Sequence, residues 1–252
     1  MLKAYISYRK NAVNAHGIHS PFVFEFYNEV VLKAKALDDE YIQHVRRTLL
    51  KDNREIEITD LGQGSKKGNS NSRKISELVK VQAVDRKYGR LLGRLVSYYK
   101  LDTCLELGTS LGIGTAHMAE YAKKVITIEG CPNIYSEAKK FWSPRFGNIE
   151  FVNAEFSSVL PQVLSSMDKL DLVYIDGNHG YEPTMDYFKQ ILSKAHNDTF
   201  IIFDDINWSE GMRRAWDEIC SSKEIHVSME FFRMGIVLKR HEQAKEHFVL
   251  KF

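Results

Sequence analysis

From about residue 85 onward, short apolar runs alternate with amphipathic stretches. Apolar residues recur at helical spacing between Asp85 and Tyr99, which predicts an amphipathic helix there. After it the pattern predicts strands at 103–107, 125–129, 149–152, 171–175 and 199–203, separated by helices at 113–122, 132–141, 157–166, 182–193 and 209–221. Such alternation is typical of a parallel sheet with helices on both faces.

The two ends of the chain complete this α/β prediction. The β-rich runs His226–Phe231 and Gly235–Lys239 predict a hairpin with a tight turn at 233–234, which adds one antiparallel strand. Residues 1–50 have a helical pattern with a Ser20-Pro21 start signal. We therefore expect a doubly wound, mostly parallel, seven-stranded core over residues 85–252. Residues 1–84 are predicted to form a helical cap with a flexible loop.

Residues 56–68 imitate a nucleotide-binding loop, because an apolar run leads into a segment rich in Gly, Ser and Lys. No second strand ending in an acid follows, so the βαβ context of such a loop is missing. We interpret residues 56–72 as a mobile segment that could fold over a substrate.

A second glycine loop has the full context. The run Cys104 to Thr115 reads C-L-E-L-G-T-S-L-G-I-G-T, and a following apolar run ends at Glu129, 23 residues after Glu106. Glycine lets the backbone approach a ligand closely, and the next helix presents unpaired N–H groups. A carboxylate at the end of the second strand can accept both ribose hydroxyls. This layout predicts a site for an adenosine-containing cofactor.

The spacing is not that of a dinucleotide site, which needs G-x-G-x-x-G, because Ser110 stands where the second glycine would be. The pattern E-x-G-x-x-x-G-x-G resembles the first motif of the class I S-adenosylmethionine-dependent methyltransferases, especially the small-molecule O-methyltransferases. The resemblance covers roughly residues 85–240 and implies a Rossmann-like sheet that binds S-adenosylmethionine. The cofactor-binding residues it indicates are Glu106, Gly108, Thr109, Ser110, Gly112, Glu129, Gly130, Asn153, Ala154, Glu155 and Asp176. For residues 153–155 a solvated turn is the alternative to a contact with the adenine.

Carboxylates follow the fourth and fifth predicted strands, where ligands bind in open α/β sheets. Asp176 ends one strand, and Asp204 and Asp205 end the next. Carboxylates brought this close would repel unless they share a cation, and oxygen ligands select Mg²⁺ or Ca²⁺. The run I-D-G-N-H-G-Y-E at 175–182 resembles metal-dependent O-methyltransferases that modify sugars and other hydroxyl compounds. That resemblance implies metal ligation by Asp176, Asp204 and Asp205.

Catalysis is assigned to His179 and Asp176. The catechol-type enzymes have Asp-Lys after the fourth strand, and this chain has no lysine there, so a catalytic lysine is not carried over. An imidazole titrates near working pH, so His179 could take the proton of a hydroxyl that a cation polarises. In the alternative interpretation, His179 only shapes the loop through backbone hydrogen bonds.

Absent motifs narrow the acceptor. No N-P-P-[YF] or D-P-P-Y run occurs, which disfavours methylation of exocyclic amino groups. No Pro-Cys nucleophile is present, which disfavours covalent carbon methylation of pyrimidines. Oxygen is the best remaining acceptor. We therefore predict a methyltransferase that acts on a hydroxyl of a small molecule.

Composition supports a globular chain with one sizeable core, since 44% of the 252 residues are hydrophobic and 27% are charged. Three cysteines with no C-x-x-C pair suit a reducing compartment, so a cytoplasmic location is expected. No stretch approaches the ~18 apolar residues of a membrane span. The oligomeric state stays open, with a homodimer among the alternatives.

The charge is unevenly distributed. Residues 1–100 carry 19 Lys and Arg against 11 Asp and Glu, whereas residues 101–252 carry 16 against 22. We interpret the basic part as a solvated helical surface, which makes nucleic acid an unexpected partner. Two rivals stay open: an RNA methyltransferase, which the basic part would suit, and a non-catalytic module that binds S-adenosylmethionine.

Overall fold

The computed structural model describes residues 2–59 and 72–252. The described chain forms two compact units: one comprises Ala34–Val159, and the other joins the chain up to Lys33 with Leu160–Phe252. Most of the predicted 56–72 loop lies outside the described residues. The predicted division between residues 84 and 85 stays a prediction.

Within the described ranges, ten α-helices follow the predicted order closely. They are α1 Leu2–Asn11, α2 Pro21–Phe26, α3 Glu40–Leu49, α4 Ile75–Gln82, α5 Arg86–Tyr99, α6 Ile113–Ala119, α7 Pro132–Trp142, α8 Phe156–Ser166, α9 Tyr181–Lys194 and α10 Glu210–Ser221. Short 3-10 turns cover Ala15–Gly17 and Ala34–Ala36, and a π-helical turn covers Tyr27–Val31. The predicted helical character of residues 1–50 is confirmed.

The described residues also contain ten strands. They are β1 Glu55–Glu57, β2 Ser72–Lys74, β3 Thr103–Leu107, β4 Lys124–Glu129, β5 Ile149–Asn153, β6 Leu172–Ile175, β7 Phe200–Phe203, β8 Val227–Phe231, β9 Met234–Leu238 and β10 Glu246–Val249. β1 and β2 form a separate antiparallel pair, and the other eight form the central sheet. The predicted mostly parallel α/β sheet is confirmed, with eight strands instead of seven.

In the unit Ala34–Val159, strands β3, β4 and β5 are parallel neighbours. Their register pairs Leu107 with Ile128 and Glu129 with Asn153, so the three carboxyl ends lie at one edge. The glycine loop after β3 therefore lies beside the acid that ends β4. β1 pairs in antiparallel orientation with β2, and most of the 56–68 segment between them lies outside the described residues, so its predicted role stays a prediction.

In the other unit the strand order is β10-β8-β9-β7-β6. β6 and β7 are parallel and buried along their whole length, as expected of strands covered on both faces. β9 runs antiparallel to both of its neighbours, which confirms the single antiparallel strand. The hairpin turn lies at Phe232 and Arg233, one residue earlier than predicted.

β10 is the strand that the sequence prediction missed. It pairs in parallel with β8 at the edge of the sheet, and only Phe248 of its four residues is buried. A four-residue strand with charged and exposed positions carries too weak a pattern for recognition. Backbone hydrogen bonds join it to the N-terminal segment, from Val13 N–H to the Val249 carbonyl at 2.8 Å and from Lys251 N–H to the Val13 carbonyl at 2.9 Å.

The N-terminal segment packs onto the strands of its own unit. The Phe26 ring lies 6.3 Å from the rings of both Phe200 and Phe231, and Ser20 caps α2 by accepting a hydrogen bond from Val23 N–H. Within the described ranges, no helix is both long and apolar enough to cross a membrane.

Candidate active site

The loop between β3 and α6 has an unusual backbone. Gly108, Ser110 and Gly112 all have positive φ angles, of 103°, 48° and 77°. A Cβ atom disfavours positive φ angles, which explains why glycine occupies positions 108 and 112. A Cβ on Gly112 would lie 2.5 Å from the Trp142 indole, whose N–H donates to the Leu111 carbonyl at 2.8 Å. Gly112 is therefore required by the packing of Trp142 as well as by the turn.

Glu106 lies beneath this loop and is 1% exposed. Its carboxyl accepts hydrogen bonds from the hydroxyls of Thr115 and Thr127, the latter at 2.6 Å, and Thr127 also contacts Thr109 Oγ1 at 2.5 Å. Burial raises the pKa of Glu106 to about 8, although the two hydroxyls lower it. The structure places Glu106 as an internal support of the loop, and its predicted cofactor contact stays a prediction.

Glu129, at the end of β4, holds two loops. Its Oε2 accepts from Ser110 N–H and its Oε1 accepts from Cys131 N–H, both at 2.9 Å. Burial raises its pKa, and these backbone N–H groups oppose that shift. Each carboxylate oxygen has a second lone pair, so Glu129 keeps the capacity to accept two ribose hydroxyls. These acceptor positions fit the ribose hydroxyls of the predicted cofactor, S-adenosylmethionine.

The residues of the turn after β5 mainly contact the protein's own backbone. The side-chain amide of Asn153 donates hydrogen bonds to two backbone carbonyls, Glu129 O at 2.7 Å and Gly130 O at 3.2 Å. Ala154 N–H donates to the Glu129 carbonyl, and the exposed Glu155 carboxylate accepts from Ser157 Oγ at 3.1 Å. Asn153 and Ala154 thus brace the acidic end of β4, and the predicted contacts of this turn with an adenine stay predictions.

The second group of predicted residues follows β6 and β7. Asp176, His179 and Asp205 each offer one ligand atom within 4.8 Å of the other two, the one such group of three or more in the described ranges. His179 Nε2 lies 3.7 Å from Asp176 Oδ1 and 3.8 Å from Asp205 Oδ2. Burial raises the pKa of Asp176 well above its ordinary value, and the charge of Asp204 adds to the shift. This set of two oxygens and one nitrogen can hold a divalent cation.

Two residues of this region were missed by the sequence prediction. The Arg233 guanidinium lies on Asp204 and Asp205, and the buried Tyr174 hydroxyl lies 2.8 Å from Asp204 Oδ2 and 3.1 Å from Asp176 Oδ2. Burial lowers the pKa of Arg233, but Asp204 and Asp205 more than offset this and raise it. The sequence does contain one indication of Arg233, since it is a single charged residue in a tight turn between two predicted strands.

Backbone strain marks the same turns. Asp205 and Asn178 both have a φ of 52°, in the left-handed region that non-glycine residues rarely adopt. Asp204 accepts from the Asp205 N–H through its own side chain at 2.8 Å, which helps to hold that conformation. Strained residues of this kind cluster at functional sites.

Comparison with known proteins gives a domain match over part of the chain and a fold. Residues 105–206 match the family described as a methyltransferase domain. No curated protein matches the chain in sequence.

Similar solved structures include an O-methyltransferase from Bacillus cereus in complex with SAH (17% identity, TM-score 0.58, 82% of this chain and 96% of that chain). The cofactor-bound Rv0187 from MTB is similar over 83% of this chain and 94% of its own, with 17% identity and a TM-score of 0.60.

A third similar structure is the O-methyltransferase TomG from Streptomyces achromogenes, involved in tomaymycin synthesis and solved with SAM. It has 17% identity and a TM-score of 0.55, over 63% of this chain and 82% of that chain. At these identities the structures show the fold. Together with the domain match, they agree with the predicted resemblance: the chain has the Rossmann-like α/β fold of these methyltransferases, and residues 105–206 match a methyltransferase domain.

Proposed function

We propose that this chain is an O-methyltransferase that transfers the methyl group of S-adenosylmethionine to a hydroxyl of a small molecule with the help of a divalent cation. The observation that carries the proposal is the cluster of Asp176, His179 and Asp205 at the ends of β6 and β7.

The cofactor part of the proposal rests on the unit Ala34–Val159, which holds all of the predicted cofactor-binding residues except Asp176. S-adenosylmethionine supplies an electrophilic methyl group on a sulfonium. Glu129 would accept hydrogen bonds from the ribose hydroxyls, and the backbone at Gly108 would leave room for the methionine part, because no Cβ projects from it. Ser110 N–H and Cys131 N–H keep the Glu129 carboxylate in place before the cofactor arrives.

The acceptor part concerns the other unit. Asp176 and Asp205 would hold the cation, which lowers the pKa of a bound hydroxyl when present. Mg²⁺ or Ca²⁺ is the ion expected from carboxylate ligands. His179 Nε2 faces both carboxylates, so this one nitrogen can serve either as the general base or as a ligand, but not as both at once.

We propose a small molecule as the acceptor and not RNA, because several arginines of the basic part are internally paired. Arg54 lies 2.6 Å from Asp52 and 2.7 Å from Glu137, and Arg86 and Arg90 both pair with the buried Asp39. The carboxylates beside these guanidinium groups offset their positive potential, so the paired arginines attract a phosphate less strongly than unpaired ones would. Salt-sensitive retention of the protein on RNA, falling steeply between low and moderate salt, would instead favour the RNA rival.

The cofactor part is tested at Glu129. Glu129→Ala is expected to weaken the binding of S-adenosylhomocysteine by about 1.5–3 kcal/mol in calorimetry, the scale of hydrogen bonds to a charged group. Glu150→Ala is the matched control, because Glu150 is an exposed carboxylate that pairs with Lys124. Unchanged affinity in a folded Glu129→Ala protein, or tight binding of NAD by the wild type, would contradict the assignment.

The cation part is tested at the two aspartates. Asp176→Asn and Asp205→Asn should each lower Mn²⁺ or Mg²⁺ affinity, while S-adenosylhomocysteine binding stays nearly unchanged. Asp186→Asn, at an exposed position of α9, is the control. Transfer of the methyl group from S-adenosylmethionine to test acceptors (catechols, phenols and sugars) should also stop when EDTA is added. Full turnover in chelator would remove the cation from the proposal.

A further inference from the structure

The Asp204 carboxylate is completely occupied by protein groups. Its Oδ1 accepts from Arg233 Nε at 2.9 Å and from Asp205 N–H at 2.8 Å. Its Oδ2 accepts from Arg233 Nη2 at 3.0 Å and from the Tyr174 hydroxyl at 2.8 Å. A carboxylate has about four lone-pair positions, so none is left for a metal ion. Asp204 is also 0% exposed.

Arg233 is held in place by the hairpin turn that carries it. Its own N–H donates to the Phe231 carbonyl at 2.8 Å, and its carbonyl accepts from Ile206 N–H at 3.0 Å. Phe232, beside it, has a φ of 65° and packs against the rings of Tyr5 and Tyr8, with centroids 5.0 and 5.5 Å away. The bidentate ion pair of Arg233 with Asp204 is thus part of a turn that backbone hydrogen bonds hold in place.

The neighbouring Asp205 is occupied differently. Arg233 Nε lies 3.1 Å from its Oδ1, while its Oδ2 faces His179 Nε2 at 3.8 Å. Asp176 Oδ1 lies 3.7 Å from the same His179 nitrogen. Two carboxylate oxygens and one imidazole nitrogen therefore converge, and the oxygens of Asp204 do not take part.

We propose that Arg233 is a positioning residue that withdraws Asp204 from the cation site, leaving Asp176, Asp205 and His179 as ligands that favour Mn²⁺ over Mg²⁺ and Ca²⁺. This inference rests on the proposed function, whose cation it specifies. It replaces the predicted ligand Asp204 by His179, and it makes His179 a ligand instead of the general base.

The charges agree with this arrangement. Asp176, Asp204 and Asp205 together carry three negative charges when ionised, Arg233 supplies one positive charge, and a divalent cation supplies the other two. Binding of the cation thus neutralises the cluster without the protonation of any carboxyl group. Because Asp204 is buried and the other three side chains are only partly exposed, a net charge on this cluster would be poorly solvated.

The ion preference follows from the imidazole. Mg²⁺ and Ca²⁺ favour all-oxygen sites, whereas Mn²⁺ takes the same carboxylate ligands and, as a first-row transition metal, accepts an imidazole nitrogen more readily than they do. If Asp204 were available instead, the set would be three carboxylates and would suit Mg²⁺. The choice of ion is thus decided by a residue that would not touch it.

The test measures metal binding by the whole chain, without an acceptor. In calorimetry the wild type is expected to bind Mn²⁺ at least about 10-fold more tightly than Mg²⁺. Electron spin echo spectra of bound Mn²⁺ are expected to show coupling to an imidazole nitrogen, which His179→Gln abolishes. Arg233→Gln should reduce the preference for Mn²⁺ by about 10-fold, the scale at which groups behind metal ligands act, because it frees Asp204.

The possible failures are distinguishable. If the wild type binds S-adenosylhomocysteine but neither Mn²⁺ nor Mg²⁺, the cation part of the proposed function fails and the present inference fails with it. If Mn²⁺ binds without nitrogen coupling and Mg²⁺ binds as tightly, only the present inference fails. An unchanged ion preference in Arg233→Gln overturns the positioning role. Should Arg233→Gln not fold, the spectra of the wild type and His179→Gln still decide the ligand set.

Discussion

The turn after β3 and the turn after β7 each enclose a fully buried carboxylate, but they stabilise it by different means. Glu106 is surrounded by the neutral hydroxyls of Thr115 and Thr127, whereas Asp204 is paired with the guanidinium of Arg233. At Glu106 the effect of burial outweighs that of the two hydroxyls and favours the protonated carboxyl, whereas at Asp204 the guanidinium supplies a compensating charge. Burial of an acid therefore does not by itself identify an ion site, because the partner decides what the acid can do.

The largest expected effect on stability comes from removing the Arg233 guanidinium, which compensates the charge of Asp204. Arg233→Met should lower the free energy of unfolding by about 3–5 kcal/mol in urea denaturation, because it leaves Asp204 buried and unpaired. Lys124→Met is the control, since its pair with Glu150 is about half exposed and should cost less than about 1 kcal/mol. Equal costs for the two variants would refute the idea that the turn after β7 depends on its ion pair.

The turn after β3 depends on backbone geometry instead. Gly112→Ala should cost about 2–4 kcal/mol, because a Cβ there meets the Trp142 ring and the positive φ disfavours a side chain. Gly147→Ala is the matched control, since no atom lies within 4 Å of the added methyl group. Its stability should change by no more than about 0.5 kcal/mol. A tolerated Gly112→Ala would mean that Trp142 repacks easily.

The smallest expected effect is the pH dependence that Glu106 causes. The folded pKa of about 8 exceeds the ordinary value of 4.5, so the folded protein binds a proton that the unfolded chain has released. Stability is therefore fully present below the ordinary pKa and is lost as the pH rises to about 8. Between about pH 5.5 and 7.5 the loss attributable to Glu106 should be about 2–3 kcal/mol.

Glu106→Gln provides the control for this pH dependence. The amide oxygen can still accept from Thr115 and Thr127, but the side chain no longer titrates. Urea denaturation of the variant across the same pH range should show a shallower slope than the wild type. Identical slopes would mean that Glu106 is ionised in the folded protein, and that the hydroxyls alone compensate its charge.

The regular elements were predictable because their signals are local. Helices and strands between Asp85 and Leu238 show hydrophobic periodicity over several residues, and the predicted boundaries mostly lie within one or two residues of those observed. Loop glycines and strand-terminal acids were also visible as motifs. Asp176 and Asp205 were both singled out before the geometry was known.

The remaining features depend on distant residues. Nothing near Asp204 indicates that Arg233, 29 residues later, occupies its carboxylate. Likewise Glu106 has the sequence position of a cofactor ligand, and only its contacts with Thr115 and Thr127 reveal an internal role. A sequence pattern places a side chain at the end of a strand, but it does not tell which neighbour that side chain faces.

The pairing of β10 with the N-terminal segment has a consequence for the order in which the protein can fold during synthesis. The Tyr8 hydroxyl donates to the Leu250 carbonyl at 2.7 Å, so one compact unit requires residues from both halves of the chain. All residues of the continuous unit Ala34–Val159 are available once residue 159 has left the ribosome, but the discontinuous unit must wait until residue 250 has emerged. Nascent chains that stall before β10 should consequently expose β8 and become targets for chaperones and proteases.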